Sequence, residues 1–520
     1  MNGDPHVLGI DFGTESVRVG IFDPRGEPVT FASHNYELVH PRPGRAEQDP
    51  SQWWSALVAA CNEAMQRSGL PAEAIAGISV DATAATVVAL DADGRHLRPA
   101  IMWMDVRATE QARRIEQTGD PALKYNGYGP VSAEFGLPKA LWLKDHEPDV
   151  FARASRIADC CDWAILRLTG EWTSSINVAS AKYYYDRDVG GFPQSLYTAL
   201  DADDVLDKLS HDVIDTHAVA GQLRADVAAE LGLAAGTPVA QGGVDAYMGA
   251  LGLGVVEPGT IALVTGSSHV IIGQSAQPVH GTGFWGAYTD AMIPGQYTVE
   301  AGQASTGSIV AWFKNQFAGD IVADAERRGV DPYEALGELA GDVPIGSDGL
   351  IVLDYFQGNR APHSDPLVRG AVWGLTLSHG PAHLYRAIIE GICYGTEDML
   401  RTLRQQGLEP RKIMVAGGPT ESALWMQTHA DVSNQPLSIT RGGNFAPVLG
   451  SAMLAAVAAG LHPDAAAAAD AMVHVERTIE PDPHAHEAYQ FYLERYLETY
   501  ERLREPMHKV TKHVAGQDAG

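Results

Sequence analysis

Residues 7–21 read VLGIDFGTESVRVGI. Val7 to Ile10 is a short apolar run that breaks at Asp11-Phe12-Gly13-Thr14. Apolar alternation resumes from Val17 through Val19 and Ile21. A run, a tight glycine turn and a second run predict a β-hairpin. The stretch at 260–272, TIALVTGSSHVII, repeats the arrangement. There Thr260 to Val264 is apolar, the break is Thr265-Gly266-Ser267-Ser268, and alternation returns from Val270 to Ile272. One such hairpin in each half of the chain predicts two lobes built on the same plan.

Between the hairpins, Asp49 is a good helix N-cap, Pro50 fits the first helical position and Gln52 would close a capping box. Trp53, Leu57, Cys61 and Met65 follow helical spacing, and Gly69 suits the C-terminal end. Ile75 to Val80 predicts the next strand. Strand and helix signals continue to alternate, which predicts the α/β class. A chain of 520 residues is expected to hold two large domains. The repeated hairpin puts their boundary near residue 243, giving lobes at 1–243 and 244–480 and a terminal helix and tail at 481–520. Asp482 and Pro483 start that helix. It is expected to run to about Leu503, with the last residues disordered.

Hydrophobic residues make up 45% of the chain and charged residues 20%, enough apolar material for substantial cores. The formal net charge is -28, from 65 acidic and 37 basic residues. Such a field repels nucleic acid and anionic lipid, so neither is an expected partner. It does not exclude a nucleotide held by a local loop. The four cysteines, Cys61, Cys160, Cys161 and Cys393, show no metal-ligand spacing. So few thiols in so long a chain predict a reduced, cytoplasmic location. The start, MNGDPHVLGIDFG, lacks a basic region followed by an apolar run, and no apolar stretch is long enough to predict a membrane span.

Several residues could carry chemistry. A glycine turn exposes backbone N–H groups, and in Asp11-Phe12-Gly13-Thr14 the Thr14 hydroxyl joins them. Together they suit phosphate oxygens, with Asp11 facing Mg²⁺ or its waters. Thr265-Gly266-Ser267-Ser268 offers the same. Both read equally well as ordinary hairpin turns. Ala416-Gly417-Gly418-Pro419 follows the strand Ile413 to Val415, where a Gly-Gly step lets a flat ligand, or merely a neighbouring element, approach the backbone. Asp245 follows Gly242-Gly243 and opens a helix. There it suits a proton acceptor kept ionised by backbone N–H groups, or a plain cap. Glu300 and Lys182 offer hydrogen bonds to a polyhydroxylated ligand, and Trp103 a face for sugar C–H groups. Singly, each also reads as a packing or surface residue.

In order along the chain, these residues resemble the FGGY family of carbohydrate kinases over almost its full length. Asp11 to Thr14 is similar to the family's first phosphate turn, and Trp103-Met104-Asp105-Val106-Arg107 to its W-x-D-x-R stretch. Lys139 to His146 resembles its first signature, with Gly136 and Ala140 departing from it. Gly242 to Asp245 resembles the catalytic-base motif, and Thr265 to Ser268 the second phosphate turn. Arg386 to Glu397 resembles the second signature, and Ala416-Gly417-Gly418 the adenosine motif. Asp81 to Thr86, DATAAT, is similar to the D-x-T-x-x-T segment of ribulose kinases. Xylulose kinases usually carry Met-His-Gly there.

The resemblance implies two ribonuclease-H-like lobes with an active-site cleft between them, and ATP-dependent phosphorylation of a pentulose, ribulose first. It implies Asp245 as the base and Ala84, Trp103, Lys182, Asp245 and Glu300 as sugar contacts. It implies Gly13, Thr14, Thr265, Gly266, Ser267, Gly307, Gly417 and Gly418 against ATP, and Mg²⁺ near Asp11 and Asp245. A homodimer is possible. Xylulose, ribitol, xylitol and erythritol stay open as substrates, as does a sensor on the same lobes without catalysis.

Overall fold

A computed structural model describes residues 5–517. The opening hairpin pairs His6–Phe12 with Ser16–Phe22, in antiparallel register from Val7↔Phe22 to Phe12↔Val17. Pro28–Asn35 extends it on one side. On the other, Ile75–Ala82 runs parallel to the first strand and Pro238–Val244 parallel to that. Val219–Gln222 closes the edge, completing six strands.

The second half repeats this core. Thr260–Thr265 and His269–Ser275 form the hairpin, and Tyr297–Gln303 and Trp285–Thr289 extend it. Lys412–Ala416 and Leu437–Thr440 add on the other side in parallel, and Val475–Ile479 closes the edge, completing seven strands. Three antiparallel strands followed by two parallel ones, with helices on the faces, occur twice. The molecule is therefore α/β with two ribonuclease-H-like lobes of the actin and hexokinase ATPase type.

Local signals account for much of the detail. The helix Pro50–Ser68 is capped by Asp49, whose carboxylate accepts from Ser51 N, and it ends on Gly69 at φ 65°. Gln52 does not close a capping box. Its side-chain carbonyl instead accepts from Glu37 N at 2.9 Å, where the neighbouring loop offers a free donor. The terminal helix starts at Pro483 as expected but runs through Gln517. Beyond Pro506, His508 Nε2 meets Asp365 at 2.6 Å and Thr511 Oγ1 donates to Leu367 O at 2.8 Å. These contacts hold the extra turns against the second lobe. Residues 518–520 of the expected tail lie outside the described residues.

Core packing crosses the division expected near residue 243. The helix Ala446–Ala458, late in the chain, buries Val448, Leu449, Ala452 and Met453 in the core of the first sheet. It lies so close that a Cβ on Gly9 would come 2.2 Å from Val448 O, and one on Gly77 2.3 Å from Ala455 O. The same helix crosses Asp245–Gly252, the helix that opens the second half. The terminal helix belongs to the other core through Tyr489, Leu493, Tyr496 and Tyr500. Among the described residues, no helix is long and apolar enough to cross a membrane.

Candidate active site

Parallel pairing in register sets Asp11 beside Asp81 at the ends of their strands. Antiparallel pairing puts Arg18 opposite Asp11, with its guanidinium 2.5 Å from Asp11 Oδ2. Burial raises the Asp11 pKa, against the pull of Arg18. Asp81 is raised well above the usual carboxylate range, first by burial and then by the Asp11 charge. Its Oδ2 accepts from Ser451 Oγ, on the late helix, at 2.6 Å.

Asp245 enters from the neighbouring strand end. Gly242, at φ 69°, makes its placement possible: a Cβ there would lie 1.7 Å from Val80 O. A non-glycine residue would push this strand end off its neighbour and carry Asp245 away from Asp11. Asp245 is half-buried. Its Oδ1 accepts from its neighbour Ala246 N at 2.7 Å. The expectation that backbone N–H groups would keep this carboxyl firmly ionised needs correction. Burial, then the Asp11 charge, push its pKa up to about 7, and outweigh the Ala246 N–H, Lys182 and Arg18.

The expected sugar contacts fall around this point. Trp103 Nε1 donates to Thr14 Oγ1 at 3.0 Å, tying the indole to the first turn. Ala84 is half-buried in the loop that follows Ile75–Ala82. Lys182 is half-buried, its ammonium 5.1 Å from the centre of the Phe135 ring. It donates no hydrogen bond within the described residues, and its charge reaches Asp245. Glu300 Oε2 accepts from Tyr247 OH at 2.8 Å, and Tyr247 stands two residues after Asp245.

Most of the residues expected on the nucleotide side lie on the second lobe. Gly266 and Ser267 are exposed at the tip of their hairpin. Their carbonyls accept from the start of the helix Gly307–Phe317: Gly307 N to Gly266 O at 3.1 Å, and Ser308 N to Ser267 O at 3.1 Å. Thr265 Oγ1 donates to Ala416 O at 2.8 Å, joining this turn to the Gly417-Gly418 step. Gly13 and Thr14 stay with the first lobe, where the Tyr36 hydroxyl donates to Gly13 O. No hydrogen bond or ion pair among the described residues links the first-lobe group to the second-lobe turns.

The donor set fits a divalent cation carried by phosphates. Both Asp11 oxygens are buried; Oδ2 is paired with Arg18, and Oδ1 accepts no hydrogen bond. A cation or its water would supply what Oδ1 lacks. Sequence reasoning missed Arg18, the pairing of Asp81 with Asp11, and Tyr247. A charge inside the apolar alternation of 17–21 was a readable signal for Arg18. Nothing local marked Tyr247, because its partner lies on a distant strand.

Comparison with known proteins follows the same line. The N-terminal domain of the FGGY family of carbohydrate kinases matches residues 6–252, and its C-terminal domain residues 261–459. Ribulokinase from Geobacillus thermodenitrificans is 30% identical over 550 positions, covering 98% of this chain and 97% of its own. Xylulose kinase from Staphylococcus epidermidis is 28% identical over 506 positions, covering 96% and 97%. The crystal structure of xylulose kinase from Rhodospirillum rubrum aligns with a TM-score of 0.86 at 28% identity, covering 97% of this chain and 100% of that one.

Proposed function

The chain belongs to the FGGY family of carbohydrate kinases and is an ATP-dependent sugar kinase; on that premise we propose that its acceptor is a pentulose, ribulose, and its product ribulose 5-phosphate. The observation that carries this reading is Lys182. Its ammonium is half-buried against the Phe135 ring, its charge reaches Asp245, and it donates no hydrogen bond within the described residues. An ammonium has donors only, so it suits a ketose carbonyl, which only accepts, better than a polyol hydroxyl, which accepts but also brings a proton that needs an acceptor of its own.

In this reading the terminal hydroxyl attacks the γ-phosphorus, its proton passes to Asp245, and the bond to the ADP oxygen breaks. A base with a pKa of about 7 is well matched to that task near neutral pH. Glu300, held by Tyr247, accepts from sugar hydroxyls. Gly13, Thr14, Thr265, Gly266, Ser267 and Gly307 line the phosphates, with Gly417 and Gly418 beside adenosine. Mg²⁺, held by the phosphates with Asp11 and Asp245, would offset charge on the transferring group.

Xylulose is the second reading, because the relatives' names divide between the two pentuloses. An ADP-release assay across both ribulose enantiomers, xylulose, ribitol, xylitol, erythritol and glycerol tests them. The highest kcat/KM is expected for a ribulose. A better pentitol or tetritol would defeat the ketose assignment, and a better xylulose the configuration.

A further inference from the structure

Lys139 is completely buried. Its ammonium sits 2.8 Å from each of four backbone carbonyls: Ala85, Met102, Trp103 and Glu134. These belong to three segments far apart in sequence: the loop after Ile75–Ala82, the stretch around Trp103, and the turn before the helix Gly136–His146. Each carries part of the acceptor wall. Ala84 precedes Ala85, Trp103 is itself a contact, and Phe135, after Glu134, lies beneath the Lys182 ammonium.

A buried charge needs a reason, because an apolar side chain of similar volume usually serves a core at least as well. Here an ammonium supplies three N–H donors, so four carbonyls use it fully. Burial pulls its pKa down to about 7, against the carboxylates of Asp105, Glu134 and Asp159, with the Lys182 ammonium adding to the pull. The four carbonyls oppose that loss, since the neutral amine has one donor fewer. Among the described residues, no other side chain hydrogen-bonds the backbone of all three segments. Arg107, the other buried cation nearby, is taken up by Asp105 and Glu47.

We propose that Lys139 is a positioning residue: it pins the three walls of the acceptor pocket in register without touching the sugar. This rests on the reading that the acceptor binds at Ala84, Trp103 and Lys182. Without the pin, the walls shift independently and the sugar loses its fit, while the second-lobe turns keep theirs. Misplacement of about an ångström costs tenfold to a hundredfold in rate, so the sugar kcat/KM should fall by about that factor.

The test compares Lys139→Met and Lys139→Gln with the wild type, using the best acceptor of the panel and ATP. Expected are a sugar KM raised about tenfold or more, smaller in Gln because its amide retains two donors, and an ATP dissociation constant within about twofold by calorimetry. General destabilisation would instead lower the active fraction, cutting kcat and leaving KM alone. That pattern, or equal loss of both ligands, overturns the proposal. Should neither variant fold, hydrogen exchange on the wild type decides. Residues 83–87, 101–106 and 132–137 should open with one common protection factor in the free enzyme and gain protection together with sugar. Separate opening of the three segments, with sugar protection in place, overturns the role of Lys139 alone. Sugar protection elsewhere overturns the pocket reading and the pin together.

Discussion

Gly417 and Gly418 are adjacent, and the structure gives them opposite surroundings. Gly417 sits at φ 111°, and a Cβ there would lie 1.7 Å from Thr265 O, whereas a Cβ on Gly418 meets nothing within 4 Å. Consider Gly417→Ala. Side-chain carbons do not approach carbonyl oxygens closer than 3.0 Å, so backbone must move by more than about 1 Å. Neither partner is free to move. Val264 pairs with Ala416 in the parallel ladder, and Thr265 Oγ1 donates to Ala416 O at 2.8 Å. Overpacking of this kind costs about 1–3 kcal/mol, and the strained φ about another 1–3. A total of about 2–6 kcal/mol is a large share of the 5–15 typical of a domain. At about 2–4 °C per kcal/mol, the unfolding midpoint should drop by of order 10 °C. Gly418→Ala should stay within about 0.5 kcal/mol of wild type while raising the KM for ATP. Scanning fluorimetry and circular dichroism on both proteins, with nucleotide titrations, make the comparison. A Gly417→Ala protein as stable as wild type would refute the packing argument. Equal destabilisation by Gly418→Ala would refute the claim that its face is open.

Asp245→Asn should keep ATP affinity and lose turnover by about 10² to 10⁴, measured by ADP release. In the wild type, sugar kcat/KM should fall as pH drops below about 7, because the raised pKa leaves Asp245 protonated there; a profile flat to pH 5 refutes the assignment. The same shift carries a stability sign. A carboxyl with a raised folded pKa destabilises the fold once ionised, so Asp245→Asn should gain thermal stability over wild type above pH 7 and not below pH 4. Gly266→Val should weaken ATP far more than sugar in calorimetric titrations, since a branched side chain blocks approach to the turn's N–H groups; unchanged nucleotide affinity would make the turn purely structural. Glu300→Ala should lower sugar kcat/KM by about tenfold or more and spare ATP, with Tyr247→Phe a weaker version of the same loss; a variant that lost ATP instead would place Glu300 elsewhere.

Signals that act over a few residues were readable from the sequence. The hairpins at 7–21 and 260–272, the Asp49 cap with its Gly69 stop, and the start of the last helix follow from local chemistry. Relations between distant segments were not. Nothing near Asp245 announced that burial and Asp11 would bring its pKa to about 7, because Asp11 reaches it through two strand pairings. The Gly-Gly step at 417 announced a close approach but not its object, which is Thr265. Lys139 stood in a quoted motif, yet its four carbonyls come from segments up to 54 residues away. The last helix was expected to end near Leu503, and contacts with distant Asp365 and Leu367 accompany its extension to Gln517.

The late helix Ala446–Ala458 also sets a schedule for biosynthesis. Its Val448 and Leu449 belong to the first core, and Ser451 bonds Asp81 there. When the ribosome has finished the first sheet at Val244, the face that receives this helix is still bare. At about 5–20 residues per second, roughly 10–40 s pass before the covering segment emerges. During that interval the nascent lobe shows an apolar face that a chaperone can hold, and a fragment ending at residue 243 never completes it. Asp11, Asp81 and Asp245, at those strand ends, therefore reach their final environment only after most of the chain has been translated.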